Sequence, residues 1–279
     1  MNGRLGKIKQ IVNPFPLMSP IISVTYSYEK SLAGINRLKE NDIPMIFCSA
    51  KTRGEQEVYR HKIEVFHPFI VENGGAIFIP QGYFPFPFDY HKTIGEFLVI
   101  ELGGPYKEIR QLLDKVMREG NFRLQSFGDM SVEEVAKKTG LDLGSAKLAK
   151  QREYSETVKF DGTHEEAIKA LEKIKEAGLN WAHGGRFYDV MGASDKGKAV
   201  AIVSDLYRRM WGEVETIGLG DSSNDLPMLS QVDIPILVQR SDSTHEEIDL
   251  PRLCKVQGVG PEGWNRAIKE LISRPRRLE

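Results

Sequence analysis

The sequence predicts an α/β protein, with a Rossmann-like core built on a parallel sheet and a second α/β domain inserted into it. Apolar runs short enough for buried strands alternate with helical stretches before residue 82, and the same alternation returns after residue 190. Between these parts, helices and strands mix in an α+β pattern. We therefore expect residues 1–82 and 191–279 to form the core and residues 83–190 to form an inserted domain with its own small sheet.

The first part of the predicted core runs to residue 82. Leu32, Ile35 and Leu38 recur at helical spacing, which predicts a helix over residues 29–41. Short apolar runs bounded by polar residues or glycine predict buried strands. These strands are expected over Ile43–Cys48, Phe69–Val71 and Ala76–Ile79, and a second helix over Thr52–His61.

The same signals predict the elements of the insertion and of the returning core. In the insertion, helices are expected over Lys107–Arg118, Val132–Thr139 and Glu165–Ala177, and strands over Phe97–Glu101, Phe122–Ser126, Thr157–Phe160 and Phe187–Val190. In the returning core, helices are expected over Lys196–Trp211, Asn224–Leu229 and Arg266–Ser273, and strands over Val214–Leu219 and Ile234–Val238. Because strands and helices alternate again, both parts of the core are expected to share one sheet.

The composition narrows the class of protein. The chain has 279 residues, enough to bury a core without disulfides, and its formal net charge of −1 gives no reason to expect a nucleic acid or a membrane surface as partner. No apolar run approaches the ~18 residues of a membrane span. Cys48 lies in an apolar run, and two cysteines do not make a disulfide framework. We therefore expect a protein of a bacterial or archaeal cytoplasm, with its oligomeric state left open.

The strongest chemical signal is the run Gly218-Leu219-Gly220-Asp221-Ser222-Ser223-Asn224-Asp225, which follows a predicted strand and opens a predicted helix. In an open α/β sheet the carboxyl end of a strand borders the ligand crevice. Asp221, Asn224 and Asp225 supply oxygen ligands there, which suit Mg²⁺. A turn with an aspartate N-cap is the structural alternative, but a cap alone requires neither a second aspartate nor an asparagine.

Two further segments offer groups that bind phosphate. Ser49 ends a predicted strand and Lys51 and Thr52 begin a helix, so a hydroxyl, an ammonium group and helix N-terminal amides lie together. Lys196 opens the helix after the insertion and could neutralise a phosphoryl group or an aspartyl nucleophile. The structural alternatives are a capping hydroxyl for Ser49 or Thr52 and a solvated lysine for Lys196.

These three segments, in this order around an insertion, resemble the second, third and fourth motifs of the haloacid dehalogenase-like phosphatases. The resemblance implies that Ser49 binds the phosphoryl group, Lys196 stabilises its charge and Asp221 ligates Mg²⁺. It also implies that Asp225 supports the metal shell or Lys196. The insertion would then be the α/β cap of the sugar-phosphatase branch, which recognises the substrate.

Longer runs narrow the resemblance to the mannosyl-3-phosphoglycerate phosphatases, and the likeness extends from about Tyr26 to the C-terminus. The runs are Ser49-Ala50-Lys51-Thr52-Arg53 with Glu55-Gln56-Glu57, residues 69–80, Arg152-Glu153-Tyr154-Ser155-Glu156-Thr157, Gly185-Arg186-Phe187-Tyr188 and Gly260-Pro261-Glu262-Gly263-Trp264. The resemblance implies a Mg²⁺-dependent phosphatase that converts mannosyl-3-phosphoglycerate into mannosylglycerate, a compatible solute, and phosphate. Another sugar phosphate of the same branch is an alternative substrate.

Such a substrate carries a carboxylate, a phosphate and a sugar. Arg152 and Arg186 could bind a carboxylate or phosphate in bidentate fashion, with surface ion pairing as the alternative. Glu153, Ser155 and Glu156 could form hydrogen bonds with sugar hydroxyls. The expected substrate-binding residues are Lys51, Thr52, Arg152, Glu153, Ser155, Arg186 and Ser222.

The first motif of the family, a strand ending in Asp-x-Asp-x-Thr, is missing. It would lie before the helix near Tyr28, but residues 10–25 contain no aspartate, and the first aspartate of the chain is Asp42. In the family the first aspartate attacks phosphorus and the second acts as acid and base, so very low turnover is expected. Three prolines in this stretch also argue against a central strand there. Either the stretch has diverged, leaving a catalytically silent protein that binds a sugar phosphate or a protein partner, or it does not represent the natural chain.

Overall fold

The computed structural model describes residues 8–13 and 28–273 of the chain. The strands are β1 (Ile8–Asn13), β2 (Met45–Cys48), β3 (Phe69–Val71), β4 (Ala76–Pro80), β5 (Lys92–Ile94), β6 (Phe97–Glu101), β7 (Leu124–Ser126), β8 (Ser155–Phe160), β9 (Asn180–Gly184), β10 (Phe187–Met191), β11 (Val214–Gly220), β12 (Ile234–Gln239) and β13 (Cys254–Val259). The α-helices are α1 (Leu32–Glu40), α2 (Arg53–Lys62), α3 (Tyr106–Gly120), α4 (Val132–Thr139), α5 (Leu143–Ala149), α6 (His164–Glu176), α7 (Lys196–Trp211), α8 (Leu226–Leu229) and α9 (Pro261–Ser273). Short 3-10 turns lie at Tyr28–Ser31, Glu72–Gly74 and Ser223–Asp225.

The larger sheet has the strand order β13-β12-β11-β1-β2-β3-β4-β6-β5. The strands from β13 to β3 are parallel, and β4, β6 and β5 extend the sheet as antiparallel neighbours. At the centre, Val12 of β1 lies opposite Gly218 of β11, and Asn13 lies opposite Phe47 of β2. The predicted parallel core sheet is therefore confirmed, and its carboxyl edge brings together the ends of β1, β2 and β11.

Helices cover both faces of this sheet, as in a doubly wound fold. On one face, Ile35 of α1 and Trp264 of α9 are buried with Phe47 of β2. On the other face, Val203 of α7 is buried with Ile46, the neighbour of Phe47. The two strand residues belong to different apolar clusters because successive side chains of a strand point to opposite faces. In the part of the chain that the structure describes, no helix combines the length and apolar character that a membrane span requires.

The inserted part forms a second, antiparallel sheet with the order β7-β8-β10-β9. Ile109 and Leu113 of α3 and Ile174 of α6 pack with Val158 of β8 in one buried cluster. Val135 of α4 contributes to a smaller cluster with residues of α5. The small sheet predicted for the insertion is therefore present.

One strand that the sequence assigns to the insertion belongs to the larger sheet instead. Phe97–Glu101, which is β6, pairs antiparallel with β4, so that Phe97 lies opposite Pro80 and Glu101 opposite Ala76. The prediction was wrong because either sheet would bury the apolar side chains of this run, and only the distant partner β4 decides between them. The separate sheet begins with β7, whereas the domain division at residues 83 and 190 stays a prediction.

Several elements of the structure were not predicted, namely β1, β5, α5, β9 and β13. The expectation that no central strand lies near residue 10 is wrong for β1, because its last residue, Asn13, precedes the first of the three prolines, Pro14. Residues 14–27, which carry most of the stretch expected to hold the first motif, lie outside the described residues. The strand β9 is mostly exposed and so lacks an apolar pattern.

Candidate active site

The candidate site lies where the central core strands end beneath the cap. Ser49 directly follows β2 and Asp221 directly follows β11, and these two strands flank β1 on its two sides. Lys196 is the first residue of α7, the helix that returns from the cap to the core. Because parallel strands end at the same edge of a sheet, the three segments predicted to bind phosphate and metal meet there.

Lys196 and Asp225 form a buried ion pair in this site. Their Nζ and Oδ1 atoms are 2.9 Å apart, and the side chains are 4% and 7% exposed. Burial works to lower the pKa of Lys196, but the charge of Asp225 outweighs it and the pKa is raised. Lys196 therefore stays cationic, and the alternative of a solvated surface lysine does not apply to it.

Asp221 and Asp225 are the two carboxylates of this loop, and both line the cavity described below. The backbone of Asp221 is held by the side chain of Asp225, since its N–H donates to Oδ2 of Asp225 at 3.2 Å. Burial, and then the neighbouring charge of Asp225, raise the pKa of Asp221 to about 6, although Lys196 works in the opposite direction. A bound cation would stabilise a carboxylate whose pKa is raised in this way, since an opposite charge nearby favours the ionised form.

The loop that begins with Asp221 provides an incomplete metal site. Asp225 uses Oδ1 for Lys196 and Oδ2 for the Asp221 amide, and Asn224 donates from Nδ2 to Oδ1 of Asn73 at 3.4 Å. Across residues 8–13 and 28–273, no group of three or more His, Cys, Asp or Glu side chains is placed to hold a metal ion. The metal ligands Asp221, Asn224 and Asp225 therefore stay a prediction, and a further oxygen ligand would have to come from elsewhere.

The segment after β2, Ser49 to Thr52, holds the residues predicted to bind phosphate and the cap of α2. Ser49 is buried, and its Oγ accepts the Lys51 amide at 3.2 Å. Lys51 pairs through Nζ with Oε1 of Glu55 at 2.9 Å and lines the cavity. Thr52 is fully buried, forms a capping box with Glu55 at the start of α2, and donates to the carbonyl oxygen of Leu148 in the cap at 2.9 Å. The Thr52 hydroxyl is therefore engaged in structure, as the capping alternative anticipates.

Arg152 lies at the junction of core and cap, with its side chain only 7% exposed. Its Nη1 donates to the carbonyl oxygen of Ala50 at 3.0 Å and to Oγ of Ser155 at 2.9 Å, and it lies 3.4 Å from Oδ1 of Asp189. Burial works to lower the pKa of Arg152, but the surrounding carboxylates, Asp189 first, outweigh it and the pKa is raised. Surface ion pairing does not describe this arginine, which lines the cavity instead.

The other cap residues that were predicted to bind the substrate do not line the cavity. Glu153 pairs through Oε1 with Nε of Arg53 at 3.2 Å, and Ser155 is buried and donates to Oε2 of Glu72 at 2.7 Å. Arg186 is exposed and donates from Nη2 to the carbonyl oxygen of Thr139 at 3.2 Å. Arg186 belongs to the turn between β9 and β10, whose neighbouring residues do line the cavity.

A cavity of about 520 Å³ connects the strand ends of the core to the cap. The residues predicted from sequence that line it are Lys51, Arg152, Lys196, Asp221, Ser222, Asn224 and Asp225. Those that do not are Ser49, Thr52, Glu153, Ser155 and Arg186, although Ala50, next to Ser49, does. The cavity has the size of a small-molecule site and carries both cationic and anionic side chains.

Several residues of the cavity were not predicted as site residues, among them Glu55, Thr157, His183 and Asp189, although Glu55 and Thr157 lie in the matched runs. Thr157 and Asp189 are direct partners in the pairing of β8 with β10, and Oγ1 of Thr157 donates to Oδ1 of Asp189 at 2.7 Å. They are 32 positions apart, so no local pattern links them. A signal for Asp189 exists only in retrospect, because it directly follows the matched run Gly185–Tyr188.

Cys48 does not replace the missing nucleophile. It is a free cysteine that is fully buried, as predicted. Burial raises the pKa of its thiol to about 12, which nearby Lys196 only partly offsets. Because the thiolate is the nucleophilic form, Cys48 is inert at neutral pH.

The fold and the site together define a haloacid dehalogenase-like hydrolase, and comparisons with known proteins agree. The model of that family, described as haloacid dehalogenase-like hydrolase, matches residues 105–248. A glucosyl-3-phosphoglycerate/mannosyl-3-phosphoglycerate phosphatase from Methanococcoides burtonii is 47% identical over 251 residues, which cover 90% of this chain and 92% of the relative. A mannosyl-3-phosphoglycerate phosphatase from Pyrococcus horikoshii is 45% identical over 204 residues, covering 73% and 81%. The chain therefore belongs, within the haloacid dehalogenase-like hydrolases, to the family of the mannosyl-3-phosphoglycerate phosphatases, which are phosphoric monoester hydrolases.

Solved structures agree with the fold at much lower identity. A phosphatase of the haloacid dehalogenase superfamily from Bacteroides thetaiotaomicron is similar with a TM-score of 0.63 and 15% identity, and 97% of each chain is covered. A haloacid dehalogenase-like hydrolase from B. subtilis is similar with a TM-score of 0.62 and 13% identity, covering 95% of this chain and all of that one. The core with its inserted cap is thus shared with these proteins.

Proposed function

We propose that this chain binds mannosyl-3-phosphoglycerate or its glucosyl counterpart in the cavity between core and cap, as a member of a phosphatase family. The observation that carries the proposal is the meeting of Lys196, Asp221 and Arg152 around one cavity of about 520 Å³. A relative named for both substrates matches 90% of the chain, and one named for mannosyl-3-phosphoglycerate alone matches 73%.

The phosphoryl group is proposed to lie at the carboxyl edge of the core sheet. Lys196 supplies a cation that burial does not neutralise. The hydroxyl of Ser49 accepts from the Lys51 amide and can still donate its own hydrogen. Mg²⁺ suits the same place, because the raised pKa of Asp221 marks a carboxylate that a cation would stabilise. When bound, Mg²⁺ would neutralise charge on the phosphoryl oxygens, with Asp221 as its ligand and Asn224 and Asp225 beside it.

The glycerate and sugar are proposed to extend towards the cap. Arg152, at the junction of core and cap, and Lys51 are cationic side chains of the cavity lining, which suits a carboxylate. The turn between β9 and β10 lies over the same space, with His183 facing it and Arg186 at its edge. Glu153 and Ser155 remain predicted contacts that would need the ligand to reach past the cavity wall.

The chemistry of hydrolysis is where this chain departs from its family. Phosphoryl transfer relies on an attacking oxygen held in line with the leaving group. In the mechanism that the family resemblance implies, that oxygen belongs to an aspartate at the end of the first core strand. That strand is β1, which ends at Asn13, and the sequence has no aspartate before Asp42. An amide is not a nucleophile of this kind, so we expect binding with very slow turnover.

A catalytically silent binder of the same sugar phosphate is the second candidate function. The absence of an aspartate near the end of β1 favours it, while the buried ion pair of Lys196 and Asp225 supports binding of an anion. Turnover separates the two candidates, whereas ligand binding supports both.

Binding of mannosyl-3-phosphoglycerate, measured by titration calorimetry, tests the site. We expect Arg152→Ala to weaken binding about 10- to 100-fold, because a buried hydrogen-bonded charge is lost. Arg186→Ala should weaken it only about threefold, because contacts of an exposed arginine are worth little. Unchanged affinity in Arg152→Ala would count against the proposed site.

A further inference from the structure

The chain turns sharply at Glu72 and Asn73, just after β3. Both residues have a left-handed backbone, with φ of 47° and 57°. This conformation is unfavourable for a residue with a side chain, although asparagine tolerates it better than glutamate. Two such residues in succession persist only where the surroundings hold them, and strained segments of this kind cluster at functional sites.

Glu72 shows what holds the first of them. Its Oε1 accepts the backbone N–H of Glu153 at 2.9 Å, and its Oε2 accepts the backbone N–H of Tyr154 at 3.0 Å and the hydroxyl of Ser155 at 2.7 Å. The side chain is fully buried. A carboxylate of the core therefore fixes the cap chain immediately after Arg152.

Asn73 bridges core and cap with its side-chain amide. Its Oδ1 accepts from Nδ2 of Asn224, in the loop that begins with Asp221, at 3.4 Å. Its Nδ2 donates to Oδ2 of Asp189, on β10 of the cap, at 3.1 Å. Asn73 is only 3% exposed, and its hydrogen bond to Asp189 is buried, whereas the one from Asn224 is partly buried.

Asp189 connects Asn73 to Arg152. Its Oδ2 is held by Asn73, and its Oδ1 accepts from Thr157 at 2.7 Å and lies 3.4 Å from Nη1 of Arg152. The guanidinium is thus fixed through Nη1, while its buried Nε–H has no acceptor among the described residues.

We propose that Asp189, oriented by Asn73, is a positioning residue that holds Arg152 in place to bind the anionic part of the ligand. The inference rests on the proposed function, in which Arg152 binds the carboxylate. It adds that the bridge ties this arginine of the cap to the loop of Asp221 in the core. Asn73 and Asp189 act through Arg152 and need no contact with the ligand.

Whether Asp189→Asn strengthens or weakens ligand binding distinguishes a positioning role of Asp189 from an effect of its charge alone. Removing a negative charge beside an anion site strengthens anion binding if only charge matters. If Asp189 positions Arg152, Asp189→Asn weakens binding instead, by about tenfold, because a hydrogen bond to a charged group is lost. Asn73→Ala changes no charge, and it should also weaken binding, as Asp189→Asn does. The probe is mannosylglycerate, which carries the carboxylate but no phosphate, titrated by calorimetry.

Two combined variants make the test specific. Asn73→Asp with Asp189→Asn reverses donor and acceptor in the bridge, and it should restore most of the affinity that Asp189→Asn loses. In an Arg152→Ala background, Asp189→Asn should have no further effect, because coupled residues are not additive. Asp161→Asn, which removes an exposed carboxylate of the cap that contacts Gln125, is the matched control and should leave affinity unchanged.

The outcomes distinguish the two proposals. If Arg152→Ala weakens binding but Asp189→Asn leaves it unchanged or tightens it, the positioning role is overturned and the proposed site stands. If Asp189→Asn lowers affinity by the same factor with and without Arg152, the residue only supports the fold, and the inference fails. If Arg152→Ala has no effect, both the site and the positioning role fail.

Discussion

At the scale of single residues, Lys196 and Asp225 determine the charge of the candidate site. Their ion pair is almost fully buried, and Asp225 also accepts the amide of Asp221. A buried pair of this kind contributes little stability compared with apolar residues of the same size, but removing one partner leaves an uncompensated charge. The pair is therefore better explained by the anion that Lys196 can bind than by the stability of the fold.

We expect Lys196→Met to lower the free energy of unfolding by about 3 kcal/mol, because Asp225 is left buried without a partner. Adding Asp225→Asn should recover at least half of that loss, since the amide is neutral and can still accept from Asp221. Urea unfolding of both variants measures the difference. Additive losses in the double variant would show that the two charges do not depend on each other.

The positions of single residues could be predicted from the sequence where the pattern was local, whereas their roles stay predictions. Lys196, Asp221 and Asp225 follow strands or open helices in short runs, so their placement could be predicted. Asn73 and Asp189 could not, because their roles depend on the contact between core and cap, 116 positions apart in sequence.

At the scale of elements, the connector between β4 and β5, residues 81–91, is attached to the core through the half-buried side chain of Tyr83. The hydroxyl of Tyr83 lies 2.6 Å from Nδ1 of His67 and 2.7 Å from the hydroxyl of Tyr207 on α7. Burial, and then the charge of Arg60, lower the pKa of His67 to about 4. The connector is therefore held best when His67 is neutral.

This depressed pKa predicts a loss of stability in acid. The unfolded chain takes up a proton near pH 6.5 and the folded chain only near pH 4, so stability falls as pH drops through this window. A shift of this size corresponds to about 3 kcal/mol below pH 4, from 1.36 kcal/mol per unit of pKa. In His67→Gln, the free energy of unfolding should vary less between pH 7 and pH 4 by about that amount, as urea unfolding would show.

The control for this prediction is His61→Gln, on the exposed side of α2. It should keep the pH dependence of the original chain. An unchanged pH dependence in His67→Gln would mean that other groups cause the loss.

Most elements were predictable because their periodicity is strong. The helices α4 and α7 begin and end where the sequence places them. The elements that escaped prediction are short or exposed, such as β9, or depend on partners far away in the chain, such as β1. The strand β6 shows the same limit, because its apolar pattern identifies a strand but not the sheet to which it belongs.

At the scale of the whole molecule, the chain has the fold of its phosphatase family but no aspartate at the end of β1. The chain belongs to a phosphatase family, and a cavity lies between its core and its cap. The resemblance to this family places the attacking aspartate at the end of β1, where this chain has Asn13. The central claim is that the scaffold binds its sugar phosphate and lacks only the carboxylates of the first motif.

Release of phosphate from mannosyl-3-phosphoglycerate with Mg²⁺ tests this claim most directly. The original chain is compared with a variant carrying Asn13→Asp, Phe15→Asp and Leu17→Thr, which rebuilds Asp-x-Asp-x-Thr from the end of β1. The same variant with Asp221→Asn is the control, because it removes the carboxylate proposed to hold the metal. We predict that only the rebuilt variant with Asp221 intact releases phosphate at a substantial rate. Robust release by the original chain, abolished by Asp221→Asn alone, would contradict the claim and show that another group supplies the nucleophile.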